Sequence, residues 1–216
     1  AAGARDTAWE LDAAWARDVA AELADERLTV VVGDATEIAW NRVGNGTLVT
    51  GNLPYNVATA ILLACLESTV DRPGAIERAG FLVQREVAER LAARPGESAY
   101  GSLSVLVTAL AEVEILGTVP PGAFRPPPKV ESTFVGLRPR TAIGDEEYRQ
   151  LKPLVRAAFA LRRKTLRNSL ATDLGTETAT RLVEAAGLEL DSRAERLGVA
   201  DFRALLSTLH ELRSGV

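Results

Sequence analysis

Short apolar runs alternate with stretches of helical periodicity from about residue 5 to 138, and from about 145 onward only the helical period remains. Parallel strands need a crossover segment, usually a helix, so this alternation is the mark of an α/β domain with a mostly parallel sheet. The pattern predicts strands near 5–10, 28–33, 47–51, 80–83, 113–118 and 132–138, with helices near 12–25, 57–67, 84–93 and 102–111. In the first helix Trp15, Val19 and Leu23 share a face at i, i+4, i+8 spacing. The helix over 84–93 can pair Arg85 with Glu89 and Glu86 with Arg90. The last two strands form a hairpin-like pair around the loop Pro120–Pro128, whose three consecutive prolines cannot join a ladder and keep it stiff and largely extended. The change of pattern at Ala142–Asp145 is taken as a domain boundary, dividing 1–143 from an all-helical 144–216. Asp145 is the expected N-cap, and helices follow over 146–160, 162–171, 177–186 and 199–212, separated by Gly175, Gly187 and Gly198.

Composition narrows the function classes. With 216 residues, 47% of them hydrophobic, the chain can bury one sizeable core, or one core and a small second domain. No apolar run approaches the ~18 residues of a membrane span, and no signal-peptide pattern opens the chain, so a cytoplasmic location is expected. Cys65, the single cysteine, sits in the apolar run 61–66 and reads as a buried reduced thiol. His210 is the single histidine, which excludes a Ser-His-Asp triad built on any other and a histidine-rich metal site; no metal is expected. The net charge of −4 is unevenly spread. Residues 121–170 hold eleven Lys or Arg against four acids, a net of +7, so the remainder carries −11. That asymmetry is the footprint of a polyanion-binding face, although a solvated helix surface would give the same count.

Three segments carry chemistry. Trp9-Glu10-Leu11-Asp12 ends an apolar strand in an acid. In nucleoside-binding βαβ units such an acid accepts hydrogen bonds from ribose hydroxyls, about 20 residues after a glycine-rich turn. A surface carboxylate at a strand end is the alternative for Glu10. Val30-Val31-Val32-Gly33-Asp34-Ala35 ends a second strand in Asp34, placed either to accept from an adenine amine or to cap a turn. The most informative segment is Thr50-Gly51-Asn52-Leu53-Pro54-Tyr55-Asn56, directly after a strand. An adenine exocyclic amine is a poor nucleophile because its lone pair is delocalised into the ring. The Asn52 side-chain oxygen and the Leu53 carbonyl, held extended before Pro54, can each accept an amine proton, and the Tyr55 ring can clamp the base. An ordinary Asn-Pro turn is the competing reading.

Gly51-Asn52-Leu53-Pro54-Tyr55-Asn56 resembles the catalytic motif of the ribosomal RNA adenine N6,N6-dimethyltransferases. So do the segments 83–90 (Val-Gln-Arg-Glu-Val-Ala-Glu-Arg), 100–103 (Tyr-Gly-Ser-Leu), 124–130 (Phe-Arg-Pro-Pro-Pro-Lys-Val) and 159–168 (Phe-Ala-Leu-Arg-Arg-Lys-Thr-Leu-Arg-Asn), in the same order along essentially the whole chain. The resemblance implies a Rossmann-like class I methyltransferase sheet with a small helical C-terminal domain, using S-adenosylmethionine to methylate two adjacent adenosines of small-subunit rRNA. It implies a monomer acting on the pre-ribosomal small subunit. By that similarity Glu10, Asp34, Ala35 and Asn52 hold the cofactor, and Asn52, Leu53, Tyr55 and Phe124 form the catalytic set, with Phe124 stacking on the base. Arg125, Lys129, Arg162, Arg163, Lys164 and Arg167 are then the RNA contacts. The family's first strand and glycine-rich loop have no counterpart in these residues. The chain therefore reads as an N-terminally truncated member, weak or inactive as it stands, and because that strand is central its loss would split the remaining strands. Two other readings stay open: a macrolide-resistance type large-subunit rRNA methyltransferase, which Leu53 and the triple proline before Lys129 disfavour, and an RNA-binding assembly module without activity.

Overall fold

A computed structural model describes residues 5–140, 143–161 and 163–214. The chain divides into two compact units between Arg42 and Val43.

In the first unit, strands β1 (Asp6–Glu10) and β2 (Leu28–Val32) pair in parallel with Glu10 opposite Val32, joined by helix α1 (Ala13–Leu23). The helix starts where the sequence supplies a cap: the Asp12 carboxylate accepts from the backbone N–H groups of Ala14 (2.7 Å) and Trp15 (3.2 Å). Ala16 is the one fully buried residue of α1, while Trp15 and Leu23 are 65% and 61% exposed. The apolar face exists as expected, but a two-stranded ladder of five residues per strand is too narrow to cover it.

The second unit holds a four-stranded sheet in the order β3-β4-β6-β5, from β3 (Thr47–Asn52), β4 (Ile76–Gln84), β5 (Ala111–Val119) and β6 (Ser132–Pro139). β3 and β4 are parallel; β6 runs antiparallel to both β4 and β5. The described strands thus fall into two separate sheets. β4 is longer than predicted, because Glu77 and Arg78 disguise its first half while pairing along β3 holds it in the ladder.

Helices α2 (Ala58–Asp71), α3 (Arg85–Ala92) and α4 (Ser102–Leu110) pack on this sheet. Leu62, Cys65 and Leu66 of α2, Phe81 of β4 and Val105 and Leu110 of α4 are essentially inaccessible. Burial pushes the Cys65 thiol up to about 12, so it stays protonated and unreactive. Arg85 pairs with Glu89 at 3.5 Å as expected, and also with Glu131 at 2.8 Å; no Glu86–Arg90 pair forms among the described residues.

Helices α5 (Asp145–Ala158), α6 (Leu166–Leu174), α7 (Thr176–Ala185) and α8 (Val199–Ser214) form the C-terminal segment, with α5 against α2 and α4, and α8 against α4. Two helix starts show how the boundaries differ from the sequence expectation. Gly144 caps α5 without a side-chain bond; Asp145 is the first helical residue, where it pairs with Arg149 and sits favourably at the helix N-terminus. α6 begins at Leu166 rather than 162, because the Thr165 hydroxyl accepts from the Asn168 N–H and fixes the start there. α5 is fastened to α2 by Glu67, whose Oε1 accepts from Lys152 Nζ (2.6 Å) and the Tyr148 hydroxyl (3.2 Å). Burial is the first cause holding the Tyr148 phenol far above its ordinary range, and the neighbouring Glu67 charge is the second. No helix among the described residues is long and apolar enough to cross a membrane.

Candidate active site and nucleic-acid interface

Asn52 is the last residue of β3, at the carboxyl end of a parallel pair, which is where ligands sit in open α/β sheets. Its side chain is exposed and makes no hydrogen bond among the described residues. The Leu53 N–H donates to the Leu82 carbonyl at 3.3 Å, extending the register by one residue before Pro54 ends the ladder. The Leu53 side chain is buried and folds back over Gly51, where an added Cβ would meet its Cδ2 at 3.2 Å. A glycine at 51 lets the leucine anchor the motif from beneath. No backbone N–H among the described residues donates to the Leu53 carbonyl. The Pro54 carbonyl, by contrast, is taken up by the N–H groups of Val57 (3.1 Å) and Ala58 (2.9 Å), which starts α2 without a side-chain cap. The motif therefore presents one side-chain and one main-chain oxygen with no internal partner, on adjacent residues.

Tyr55 is half-buried, and its hydroxyl lies 2.8 Å from Oγ of Ser132 at the start of β6. Ser132 was not among the residues singled out by sequence; its only local sign is a small polar residue opening an apolar strand, just after the proline loop. Ser132 pairs with Val119 of β5, so the pair closes the base of that loop. A 3-10 turn at Pro121–Ala123 opens the loop, a compact feature where an extended run was expected; it forms because the Pro120 carbonyl accepts from Ala123 N–H at 3.0 Å. Phe124 follows, half-buried, with its N–H donating to the Pro121 carbonyl. The structure brings Tyr55 to the base of the loop that carries Phe124, and no ring contact joins the two among the described residues.

In the first unit, Glu10 and Asp34 lie at the carboxyl ends of adjacent parallel strands. Glu10 Oε1 accepts from the Asp12 N–H at 2.9 Å. Asp34 Oδ1 accepts from the Thr36 N–H (2.8 Å) and hydroxyl (2.7 Å), so it does cap a turn, that of Ala35–Glu37. The Thr36 backbone N–H first, and its hydroxyl second, hold the Asp34 carboxyl below its ordinary range. In both acids the second oxygen has no partner among the described residues, so capping and ligand acceptance are compatible. Ala35 is half-buried beside Asp34. A pair of carboxylate acceptors at neighbouring strand ends is the arrangement that fits a nucleoside's ribose hydroxyls and exocyclic amine, and so fits S-adenosylmethionine at its adenosine end.

The basic window is partly spent internally: Arg140 pairs with Glu112, Arg149 with Asp145, and Lys152 with Glu67. Arg125, Lys129, Arg163, Lys164 and Arg167 make no ion pair among the described residues. Arg125, Lys129, Arg163 and Lys164 are exposed; Arg162 lies outside the described residues. Arg163 and Lys164 occupy a turn ahead of α6 rather than the predicted helix, with Arg163 at φ 67. Arg167 is half-buried, its Nε without a partner among the described residues. The segment 100–103 turns out to be a structural joint. The Tyr100 hydroxyl donates to the Leu197 carbonyl at 2.7 Å, and Ser104 Oγ accepts from Gly101 N–H while donating to the Arg90 carbonyl.

Residues 4–211 match the model of the family described as ribosomal RNA adenine dimethylase. The chain belongs to this family. Among its dimethylase relatives, ribosomal RNA small subunit methyltransferase A of Xanthomonas campestris pv. campestris (strain 8004) is 44% identical over 195 residues, 86% of this chain and 71% of that protein. The protein of the same name from Xanthomonas oryzae pv. oryzae (strain PXO99A) is 42% identical over 179 residues, covering 81% of this chain and 65% of the relative. A crystal structure of a dimethyladenosine transferase from Plasmodium falciparum superposes with a TM-score of 0.77 at 23% identity, over 98% of this chain and 83% of that one. The crystal structure of the 23S rRNA methyltransferase ErmE gives 0.67 at 23% identity, over 95% and 82%. These structural likenesses establish the class I methyltransferase fold.

Proposed function

We propose that this dimethylase-family chain methylates the exocyclic N6 amine of two adjacent adenosines in small-subunit ribosomal RNA, as a monomer acting on the pre-ribosomal particle in the cytoplasm. The observation that carries the reading is the pair of unpartnered oxygens on Asn52 and Leu53 at the end of β3. S-adenosylmethionine, when bound, supplies an electrophilic methyl group. Asn52 Oδ1 and the Leu53 carbonyl accept hydrogen bonds from the two amine N–H groups, which draws the nitrogen toward tetrahedral geometry and localises its lone pair. Tyr55 stacks on the base, and Phe124 closes on it from the proline loop. Each transfer forms one C–N bond and releases one amine proton to solvent; after the first, one N–H remains and one acceptor suffices for the second. Glu10, Asp34 and Ala35 hold the adenosine end of the cofactor. Residues 1–143 form the methyltransferase domain and 144–216 an RNA-binding domain.

Small-subunit RNA is favoured over large-subunit RNA by relatives at 44% and 42% identity that carry the small-subunit name. The test is transfer of labelled methyl groups to small-subunit particles lacking this modification. The expected product after digestion is N6,N6-dimethyladenosine from two adjacent positions; label in large-subunit RNA instead would overturn the reading.

Arg125, Lys129, Arg162, Arg163, Lys164 and Arg167 bind phosphates rather than bases. Replacing Arg163 and Lys164 together by Gln is expected to weaken binding about equally for any RNA sequence. The slope of log Kobs against log salt should become shallower by roughly 0.7–0.9 for each phosphate that is no longer neutralised. An unchanged slope would remove these two residues from the interface.

A further inference from the structure

The Tyr55 hydroxyl and Ser132 Oγ are 77 residues apart in sequence and 2.8 Å apart in space. Ser132 is completely buried. Its position is set by two ladders at once, opposite Gln84 of β4 and opposite Val119 of β5, so its hydroxyl stands on a rigid support. Tyr55 has no such support. It lies in the turn between β3 and α2, and the backbone bonds there are made by Val57 and Ala58 to Pro54, not by Tyr55. The ring torsion of a tyrosine is intrinsically broad, so a ring on a turn keeps its plane only when something holds its far end. Ser132 is the one group within hydrogen-bond reach of that end among the described residues.

The geometry points to Ser132 as a positioning residue: its buried hydroxyl fixes the plane of the Tyr55 ring against which the target adenine stacks. Ser132 itself touches no base. Its neighbour Glu131 is tied to the start of α3, the carbonyl accepting from Arg85 N–H at 3.0 Å and the carboxylate from Arg85 Nη1 at 2.8 Å. The residue that orients the ring therefore directly follows Glu131, which anchors the C-terminal end of the loop carrying Phe124. A base held between Tyr55 and Phe124 would have both faces referenced to one fixed point on β6. This assignment rests on the adenine-methylating reading given above.

If the ring acted through stacking alone, Tyr55→Phe would be silent. Under the positioning role, Ser132→Ala and Tyr55→Phe each lower kcat by about tenfold with KM for RNA within about twofold, because misorientation of a reacting partner falls on the chemical step. The double variant should be no slower than either single one, since both remove the same hydrogen bond. Tyrosine-selective labelling reads the same bond without activity: in Ser132→Ala the aromatic resonances of Tyr55 should shift and average, while those of Tyr100 and Tyr148 stay in place. Silent single variants, independent multiplicative losses, or unmoved Tyr55 resonances would each overturn the assignment. Methylation of large-subunit RNA only would refute the function instead, and the resonance experiment would still decide whether Ser132 holds the ring.

Discussion

Asn52→Ala is expected to lower the rate of methyl transfer by roughly 10²–10³ while leaving RNA binding and the melting temperature almost unchanged, because losing one preorganised hydrogen-bond partner of a developing charge distribution typically costs about that much. The folded state should hardly notice, because the Asn52 side chain is exposed and makes no internal bond among the described residues; surface changes of this kind usually stay within about 0.5 kcal/mol. Single-turnover rates at saturating cofactor and RNA separate the two effects, since an interaction made mainly in the transition state is lost from kcat rather than from KM. Asn52→Asp sharpens the test: it keeps an acceptor, so partial activity is expected where Asn52→Ala has almost none. Near wild-type turnover by Asn52→Ala would make the motif an ordinary turn.

The largest effect on stability is expected at Phe202. This ring is completely buried on α8, 6.0 Å from the Phe159 ring, which in turn meets Tyr100 edge-on at 6.2 Å. Phe202→Ala removes a full aromatic side chain and leaves a cavity between α8 and its neighbours, at a cost of about 3–5 kcal/mol. For a chain of this size that corresponds to a fall in Tm of roughly 6–20 °C. Phe202→Leu should recover more than half of the loss. Calorimetry showing a change below about 1 kcal/mol for Phe202→Ala would mean that α8 is not packed as described.

The two sites differ in how far they could be read in advance. Asn52 and Phe202 both sit in elements whose type and approximate limits follow from periodicity, but the sequence marks only the first as chemical. Periodicity cannot say which of many apolar residues becomes the centre of a cluster. The pattern also concealed half of β4, where Glu77 and Arg78 break the apolar run, and the start of α6, where a helical composition over 162–165 is overruled by the Thr165 cap. The basic window was legible as a count, yet the structure shows Arg140, Arg149 and Lys152 committed to internal acids and leaves Arg125, Lys129, Arg163 and Lys164 exposed.

By itself the sequence determined the α/β alternation, the helical C-terminal segment, the buried thiol at Cys65 and the place of the Asn52–Tyr55 motif at the end of a strand. Each of these is written in residues within a few positions of one another, where the two- and 3.6-residue periods, a cap or a proline act locally. Only the tertiary structure decided that β6 inserts between β4 and β5, and hence that Ser132 arrives beside Tyr55. Such a meeting depends on strand order and register. A shift of one residue along β6 would turn the Ser132 side chain to the other face of the sheet, and no local property of residues 55 or 132 records which register is chosen.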